Sequence, residues 1–389
     1  MALLRENEKL IHTPEDICAH LGDNYEDWLG AVNPPIYQTT LFTATSKPSG
    51  FVYTRVSNPT TEVAERKIAA LEGADGALCF GSGMAAITSA INHFVKANCH
   101  IIVVNTAYCD ARRYITDYLA KKSGVTYTYV LGDDIKEIEA AIRPETTLIY
   151  LESPSSAILR MQDLEAIAKL AKAHGIGTAI DNTYATPLYQ QPLKWGIDIS
   201  IHTVSKYLCG HSAVVGGVLC AREEIIRSIQ DNERALLGSL LSPMDSYLLC
   251  MSLRTLPIRM AKHGENGRKV AEFLENHPKV ERVFYPGSKT YPWKELFDKY
   301  MTGTTGLVSV VPKGSKEEVE NFCHSLKGFL QGVSWGSYES IVSGKSVGMT
   351  EERARAEGMV PNIVRLNIGT ENIETTLKNL DEALNACIK

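Results

Sequence analysis

The residues best placed for chemistry lie in His202-Thr203-Val204-Ser205-Lys206-Tyr207-Leu208-Cys209-Gly210-His211-Ser212, a short distance after Asp181-Asn182-Thr183. A lysine among hydroxyls and glycines, downstream of an apolar run ending in a carboxylate, has its pKa and geometry under control. Lysines so placed form Schiff bases with carbonyl cofactors. Taken alone, the stretch fits an ordinary surface lysine better. A second stretch, Cys79-Phe80-Gly81-Ser82-Gly83-Met84-Ala85-Ala86-Ile87, joins an apolar run to a helix through a small-residue turn. The unpaired N–H groups of such a helix start can cradle a phosphate, although many helices begin this way and bind nothing. Tyr53 and Arg55 precede Asn58-Pro59-Thr60 in an extended segment where alternation puts them on one face, and Arg55 there suits an anion or solvent equally.

These residues need elements to hold them, and the apolar pattern supplies an alternating series. Strands are predicted over 100–104, 125–130, 147–151, 177–180, 197–201 and 214–219, with helices between many of them, such as 164–174. Alternation of this kind means a mostly parallel sheet covered on both faces, an α/β architecture whose ligands collect at the carboxyl ends of strands. Tyr108, Glu152 with Ser156, Asp181, and Thr203 with Ser205 and Lys206 each follow one of these strands, so they are expected on one rim. Beyond about residue 222 the pattern changes to long helices over 223–235 and 240–256. A smaller α+β unit follows: helix 262–276, strands 280–284 and 306–311, helix 315–326, a strand over 363–368 and a last helix over 371–387. The division expected is an arm over 1–50 contacting a neighbouring subunit, an α/β domain over 51–247 and an α+β domain over 248–389.

Forty basic residues against forty-five acidic ones leave a net charge of −5 in 389 residues, which argues against nucleic acid as the main partner. Nine cysteines, odd in number and scattered, several inside apolar runs, fit a reduced cytoplasmic setting. Neither CxxC spacing nor a His/Cys cluster of metal-ligand spacing is present, so no metal is expected. The segment Met1 to Glu8 carries acidic charge and no sustained apolar run, and reads as neither signal peptide nor membrane span.

The order of the motifs is more specific than any one of them. Tyr53-x-Arg55 before Asn58-Pro59-Thr60, then Ser82-Gly83-Met84-Ala85-Ala86-Ile87, Tyr108 after a strand, Asp181-Asn182-Thr183, Ser205-Lys206-Tyr207 before Gly210-His211-Ser212, and Arg365 in Val364-Arg365-Leu366 together resemble the pyridoxal-phosphate enzymes of cysteine and methionine metabolism. The resemblance runs from about Pro34 to the C-terminus. It implies fold type I, the aspartate aminotransferase-like architecture, and pyridoxal 5′-phosphate as cofactor. Carried over by position, Lys206 is the Schiff-base lysine and proton shuttle, Asp181 pairs with the pyridine nitrogen, and Tyr108 stacks on the ring and assists proton transfer. Gly83, Met84, Thr203 and Ser205 hold the phosphate. Tyr53 and Arg55 reach it from the neighbouring subunit, which implies an active homodimer and suggests a homotetramer. Arg365 clamps the substrate α-carboxylate.

Within the family, Ser334-Trp335-Gly336-Ser337-Tyr338-Glu339-Ser340 and Ser156 resemble the bacterial cystathionine β-lyases, so Ser334, Trp335 and Ser156 are expected at the substrate. The implied reaction is β-elimination of cystathionine to homocysteine, pyruvate and ammonia. Cysteine desulfhydrase, γ-lyase and γ-synthase activity on the same scaffold are the alternatives. Further off stand a nucleotide-binding α/β enzyme using Gly81-Ser82-Gly83 and a silent oligomeric scaffold. Two departures from the family pattern are Cys209, which reads as a small buried filler, and Ala213, which removes a carboxylate near the cofactor loop.

Overall fold

The structure is a computed structural model that describes residues 11–43 and 50–389. The segment Met1 to Glu8 and most of the turn over 46–50 lie outside the described residues. Seven strands form the larger sheet: β1 (Gly76–Phe80), β2 (His100–Val104), β3 (Thr126–Val130), β4 (Thr146–Glu152), β5 (Gly177–Asp181), β6 (Ile199–His202) and β7 (Gly217–Ala221). Their order is β1-β7-β6-β5-β4-β2-β3. The pairs from β6 through β3 are parallel, whereas β7 runs antiparallel to both of its neighbours. Two consecutive reversals give β1 the direction of β6, so the carboxyl ends of β1, β2, β4, β5 and β6 share one edge. Strands such as β2 and β6 are buried at every residue, which is why they read as unbroken apolar runs rather than alternating ones. The sequence places the 214–219 strand in the parallel series. It begins instead at Gly217, three residues later, and runs the other way.

Two helices bear on the site. Helix α2 (Pro59–Glu72) starts where the Asn58 side chain accepts from the Thr60 N–H at 2.9 Å and proline occupies the first turn. Helix α3 (Gly83–Phe94) starts where Ser82 accepts from the Ala85 N–H at 3.0 Å. The helices expected over 240–256 and 262–276 are Pro243–Leu253 and Leu256–Glu275: Thr255 leaves helical geometry between them, and the second starts six residues earlier than expected, with Pro257 in its first turn. The helix expected over 223–235 widens after Ile229 into a π-helical stretch, Gln230–Leu237.

The second sheet comprises β8 (Val280–Phe284), β9 (Leu307–Pro312), β10 (Leu330–Gln331), β11 (Ile341–Gly344) and β12 (Val364–Asn367), in the order β10-β11-β12-β9-β8. It is antiparallel apart from the short β10–β11 pair. Val308, Val310, Leu366 and Leu384 centre its core, while the core of the larger sheet also takes in Leu307 and Trp335. The N-terminal arm divides. Its helix α1 (Pro14–His20) buries Cys18, and the nearby Asp23 pairs at 3.3 Å with the fully buried Lys67 of α2, so this part packs on its own chain. Tyr37, Leu41 and Tyr53 remain exposed.

Candidate active site

The carboxyl edge of the large sheet faces Arg365 of β12 and the 333–335 segment that follows β10 across a cavity of about 700 Å³. Gly83, Met84, Tyr108, Asp181, Thr203, Ser205 and Lys206 line one side, and Ser334, Trp335 and Arg365 the other, with Ser156 beside them. Residues spread over more than 280 positions of sequence thus share one space. Tyr53 and Arg55 do not line it: in the single chain Arg55 hydrogen-bonds to the Ala235 carbonyl, and its guanidinium lies 5.6 Å from the Tyr53 ring.

Lys206 follows β6 in a turn fastened from below. The buried Arg259 donates to the Tyr207 carbonyl at 2.7 Å and to the Ser252 carbonyl at 2.9 Å. The Lys206 Nζ donates to the Ser334 hydroxyl at 2.8 Å and lies 5.4 Å from the Trp335 ring. Burial, then the positive charge of Arg365, bring the ammonium down to about 8, with Asp181 opposing. Trp335 packs edge-on against Tyr207, ring centroids 5.6 Å apart. Gly336, at φ 87°, turns the chain behind it in the left-handed region; a Cβ there would stand 3.0 Å from the Lys206 Cβ.

Asp181 ends β5 and is buried. One of its oxygens accepts from the Thr183 N–H at 3.0 Å and from the Thr183 hydroxyl, which itself accepts from the Thr203 N–H at 2.8 Å. Burial raises its pKa against those hydrogen bonds and the nearby His202 and Lys206. A desolvated carboxylate with one oxygen already committed is a site for a cation held at the other. Behind it His202 is paired with the buried Glu72 at 2.9 Å.

The start of α3 stands beside Thr203. A Cβ on Gly83 would meet the Thr203 Oγ1 at 2.4 Å, so only glycine lets this helix end approach the hydroxyl. The first-turn N–H groups of Gly83 and Met84 precede the first intrahelical bond, and with the Thr203 hydroxyl they make a concave set of donors for a phosphate. Ser205 exchanges hydrogen bonds with Gly216, accepting from its N–H at 3.0 Å.

Arg365, in β12, is buried and donates to the carbonyls of Ser156 at 3.1 Å and Val333 at 2.7 Å. Burial lowers its pKa to about 10, with Glu152 opposing. Tyr108 is half exposed, its hydroxyl donates to Asp110 at 3.0 Å, and burial followed by that bond pushes it up to about 12.

Glu152, which the sequence places on the rim without a role, holds two loops. It accepts from the Tyr108 N–H at 2.6 Å and the Ser156 N–H at 2.8 Å, and burial followed by Asp181 raises it to about 8. Lys345 also lines the cavity, and the sequence reasoning missed it. No local motif marks it, because it reaches the site only through the pairing of β11 with β12. Cys209 is buried beside Ser252, as the filler reading expects. Where the family carboxylate is missing at Ala213, the neighbouring Ser212 hydroxyl donates to Glu339 and ties the loop down.

A mostly parallel sheet with ligand groups at its carboxyl edge, a helix N-terminus for phosphate, a partly buried lysine and a buried aspartate defines a type I pyridoxal-phosphate enzyme in architecture. The comparisons name the family: residues 15–385 match the model of the Cys/Met metabolism PLP-dependent enzymes. The chain is 39% identical to cystathionine gamma-lyase of Sus scrofa over 94% of its length and 92% of the relative's. It is 36% identical to L-methionine gamma-lyase of Fusobacterium nucleatum subsp. polymorphum, over 91% and 94%. The crystal structure of metB from Corynebacterium glutamicum superposes with a TM-score of 0.91 at 36% identity, over 96% of this chain and 98% of that one. This chain belongs to the Cys/Met metabolism PLP-dependent enzyme family, and its cofactor is pyridoxal 5′-phosphate. The donor cradle at Gly83 and the half-committed Asp181 carboxylate fit that cofactor's phosphate and its ring nitrogen. Among the described residues no group could hold a metal ion, and no helix is long and apolar enough to cross a membrane.

Proposed function

We propose that the protein is a carbon–sulfur lyase acting on a sulfur-containing amino acid, with γ-elimination as its principal reaction. The observation that carries the lyase chemistry is Lys206, a partly buried amine with a depressed pKa, facing one cavity together with Asp181 and Arg365. Pyridoxal phosphate supplies the electron sink that stabilises charge at the substrate's α-carbon. The rest belongs to the chain. The Arg365 guanidinium turns from backbone carbonyls to the substrate α-carboxylate and orients the Cα–H bond. Lys206, neutral above pH about 8, takes the Cα proton and returns it along the chain, with the Tyr108 hydroxyl as a second proton carrier. Asp181 holds the positive ring nitrogen. Gly83, Met84, Thr203 and Ser205 hold the phosphate, completed by Tyr53 and Arg55 of a second copy, so the working unit is a homodimer, pairing further into a tetramer.

The position of bond breaking separates two readings. The relatives named above are gamma-lyases, which supports γ-cleavage over the β-elimination expected from the Ser334-Trp335 segment. The β reading keeps one specific support, the contact of that segment with Lys206, which narrows the space above the amine. Incubation with cystathionine decides: γ-cleavage releases 2-oxobutyrate and cysteine, β-cleavage pyruvate and homocysteine. Absence of both 2-oxobutyrate and pyruvate after incubation with cystathionine, cysteine and methionine would sink the lyase assignment.

A further inference from the structure

We infer that Asp110 is a positioning residue for the reaction: its carboxylate holds the Tyr108 hydroxyl at the cavity wall with the proton on it, so that Tyr108 enters the reaction as a proton donor and Lys206 as the acceptor. The inference rests on the lyase reading and gives a direction to the proton transfers that this reading shares between the two side chains.

Tyr108 ends the loop after β2, Asp110 opens the short helix Cys109–Arg113, and both line the cavity. Two carboxylates hold Tyr108, one at each end. Glu152 accepts from its N–H at 2.6 Å, and the Asp110 Oδ2 accepts from its hydroxyl at 3.0 Å. The Asp110 carboxylate is fixed in turn, because its Oδ1 accepts from the Arg113 guanidinium at 2.8 Å. Residues 110 and 113 stand one turn apart on the same helix face, so the backbone itself sets this bond.

A phenol that donates to a carboxylate resists ionisation, since the phenolate would stand against a second negative charge at the same distance. Charges of both signs surround the hydroxyl. Asp110, with Arg113 behind it, approaches from the helix, Cys109 lies beside it, Glu152 reaches from the end of β4, and Lys206, Lys345 and Arg365 line the same cavity. Among the described residues the hydroxyl hydrogen-bonds to Asp110 alone. Burial, then the Asp110 bond, push the phenol up to about 12, and at 42% exposure solvent screens part of that bond.

The proton balance follows from these states. Neutral Lys206 takes a proton from the carbon next to the one that bears sulfur. The electron pair left there closes a carbon–carbon double bond as the carbon–sulfur pair departs on sulfur. The Tyr108 proton passes to that sulfur and is replaced from water at the exposed hydroxyl.

The test uses the full-length holoenzyme with carbon-13 at tyrosine Cζ, whose NMR shift distinguishes phenol from phenolate, the Tyr108 signal being assigned by Tyr108→Phe. Asp110→Asn keeps the shape and removes the charge. It should raise the Tyr108 ionisation constant by about 3- to 10-fold, the effect of one charge-assisted hydrogen bond reduced by solvent. The kcat that needs the phenol is present below its pKa and lost as pH rises through it. In Asp110→Asn that loss should come about 0.5–1 pH unit lower, with the limb set by Lys206 unmoved. Asp110→Glu should restore most of the wild-type profile, whereas a merely loosened structure would lower kcat evenly across pH. An ionisation constant unchanged in Asp110→Asn, or one that rises with no movement of the alkaline limb, overturns the assignment. Asp110→Ala takes its place if Asp110→Asn does not fold. Failure of the lyase reading shows separately, as absence of product from the wild type, and leaves the NMR readout intact.

Discussion

The Lys206 Nζ donates to the Ser334 hydroxyl at 2.8 Å, joining residues 128 positions apart across the two sheets. This bond fixes where the amine rests above the cavity floor. It also makes the 334–336 segment part of what positions the Lys206 amine. Ser334 is exposed and Lys206 partly buried, so a charge-assisted bond of this kind contributes about 1.5–3 kcal/mol at most. Ser334→Ala should therefore lower kcat by about 10- to 100-fold with little loss of thermal stability, read by steady-state kinetics and a melting curve. An unchanged kcat would separate the serine from catalysis.

The depressed Lys206 ammonium predicts how the cofactor-free protein captures pyridoxal phosphate. The amine attacks only when neutral, and its pKa falls from 10.5 to about 8 through burial and Arg365. The capture rate should thus rise with pH through about 8 and level off above it. Arg365→Met removes a charge that favours the neutral form, so its profile should move to higher pH. Stopped-flow absorbance across pH 6.5–10 checks both, and a midpoint near 10.5 in the wild type would show the amine to be solvated instead.

At the phosphate cradle the discriminating change is one methyl group. With 2.4 Å between a Cβ at Gly83 and the Thr203 Oγ1, Gly83→Ala must displace the hydroxyl or the helix start. Overpacking of this size costs about 1–3 kcal/mol, so the cofactor Kd should rise by about 5- to 150-fold. Equilibrium dialysis against pyridoxal phosphate measures it, and an unaltered Kd would place the phosphate elsewhere.

The exclusion of Tyr53 and Arg55 from their own chain's cavity predicts complementation between copies. Lys206→Ala and Arg55→Ala proteins, each inactive alone, should regain about a quarter of wild-type activity after unfolding and refolding together, because half of randomly paired dimers carry one complete site. Activity no greater than the sum of the separate variants would remove Arg55 from the shared site.

Much of this arrangement was legible before any coordinates. β2, β4 and β6 are buried on both faces, so they must be continuous apolar runs, and polar residues following such strands fall on one rim by the rule of parallel sheets. The lysine, the aspartate and the helix start took their roles from the order of the motifs and the family it resembles, because each local stretch by itself fits an ordinary surface lysine, strand end or helix N-terminus as well. The reversed direction of β7 was not legible, because five apolar residues look alike in either sense. The break near Thr255 was legible to within a few residues, but the early start of the helix Leu256–Glu275 was missed, since a proline in a first turn resembles one that ends a helix.

What the sequence determined by itself was the cofactor class, through residue types in a fixed order, and the sheet that carries them. Only the tertiary structure decided which residues surround the amine. Ser334, Trp335 and Arg365 reach Lys206 because β11 and β12 pair and the second sheet packs against the rim of the first. Lys345 arrives by the same pairing, with no signature of its own. Long-range strand register and side-chain desolvation are properties of the packed chain, and they set both the amine's pKa and the shape of the space in which the carbon–sulfur bond lies.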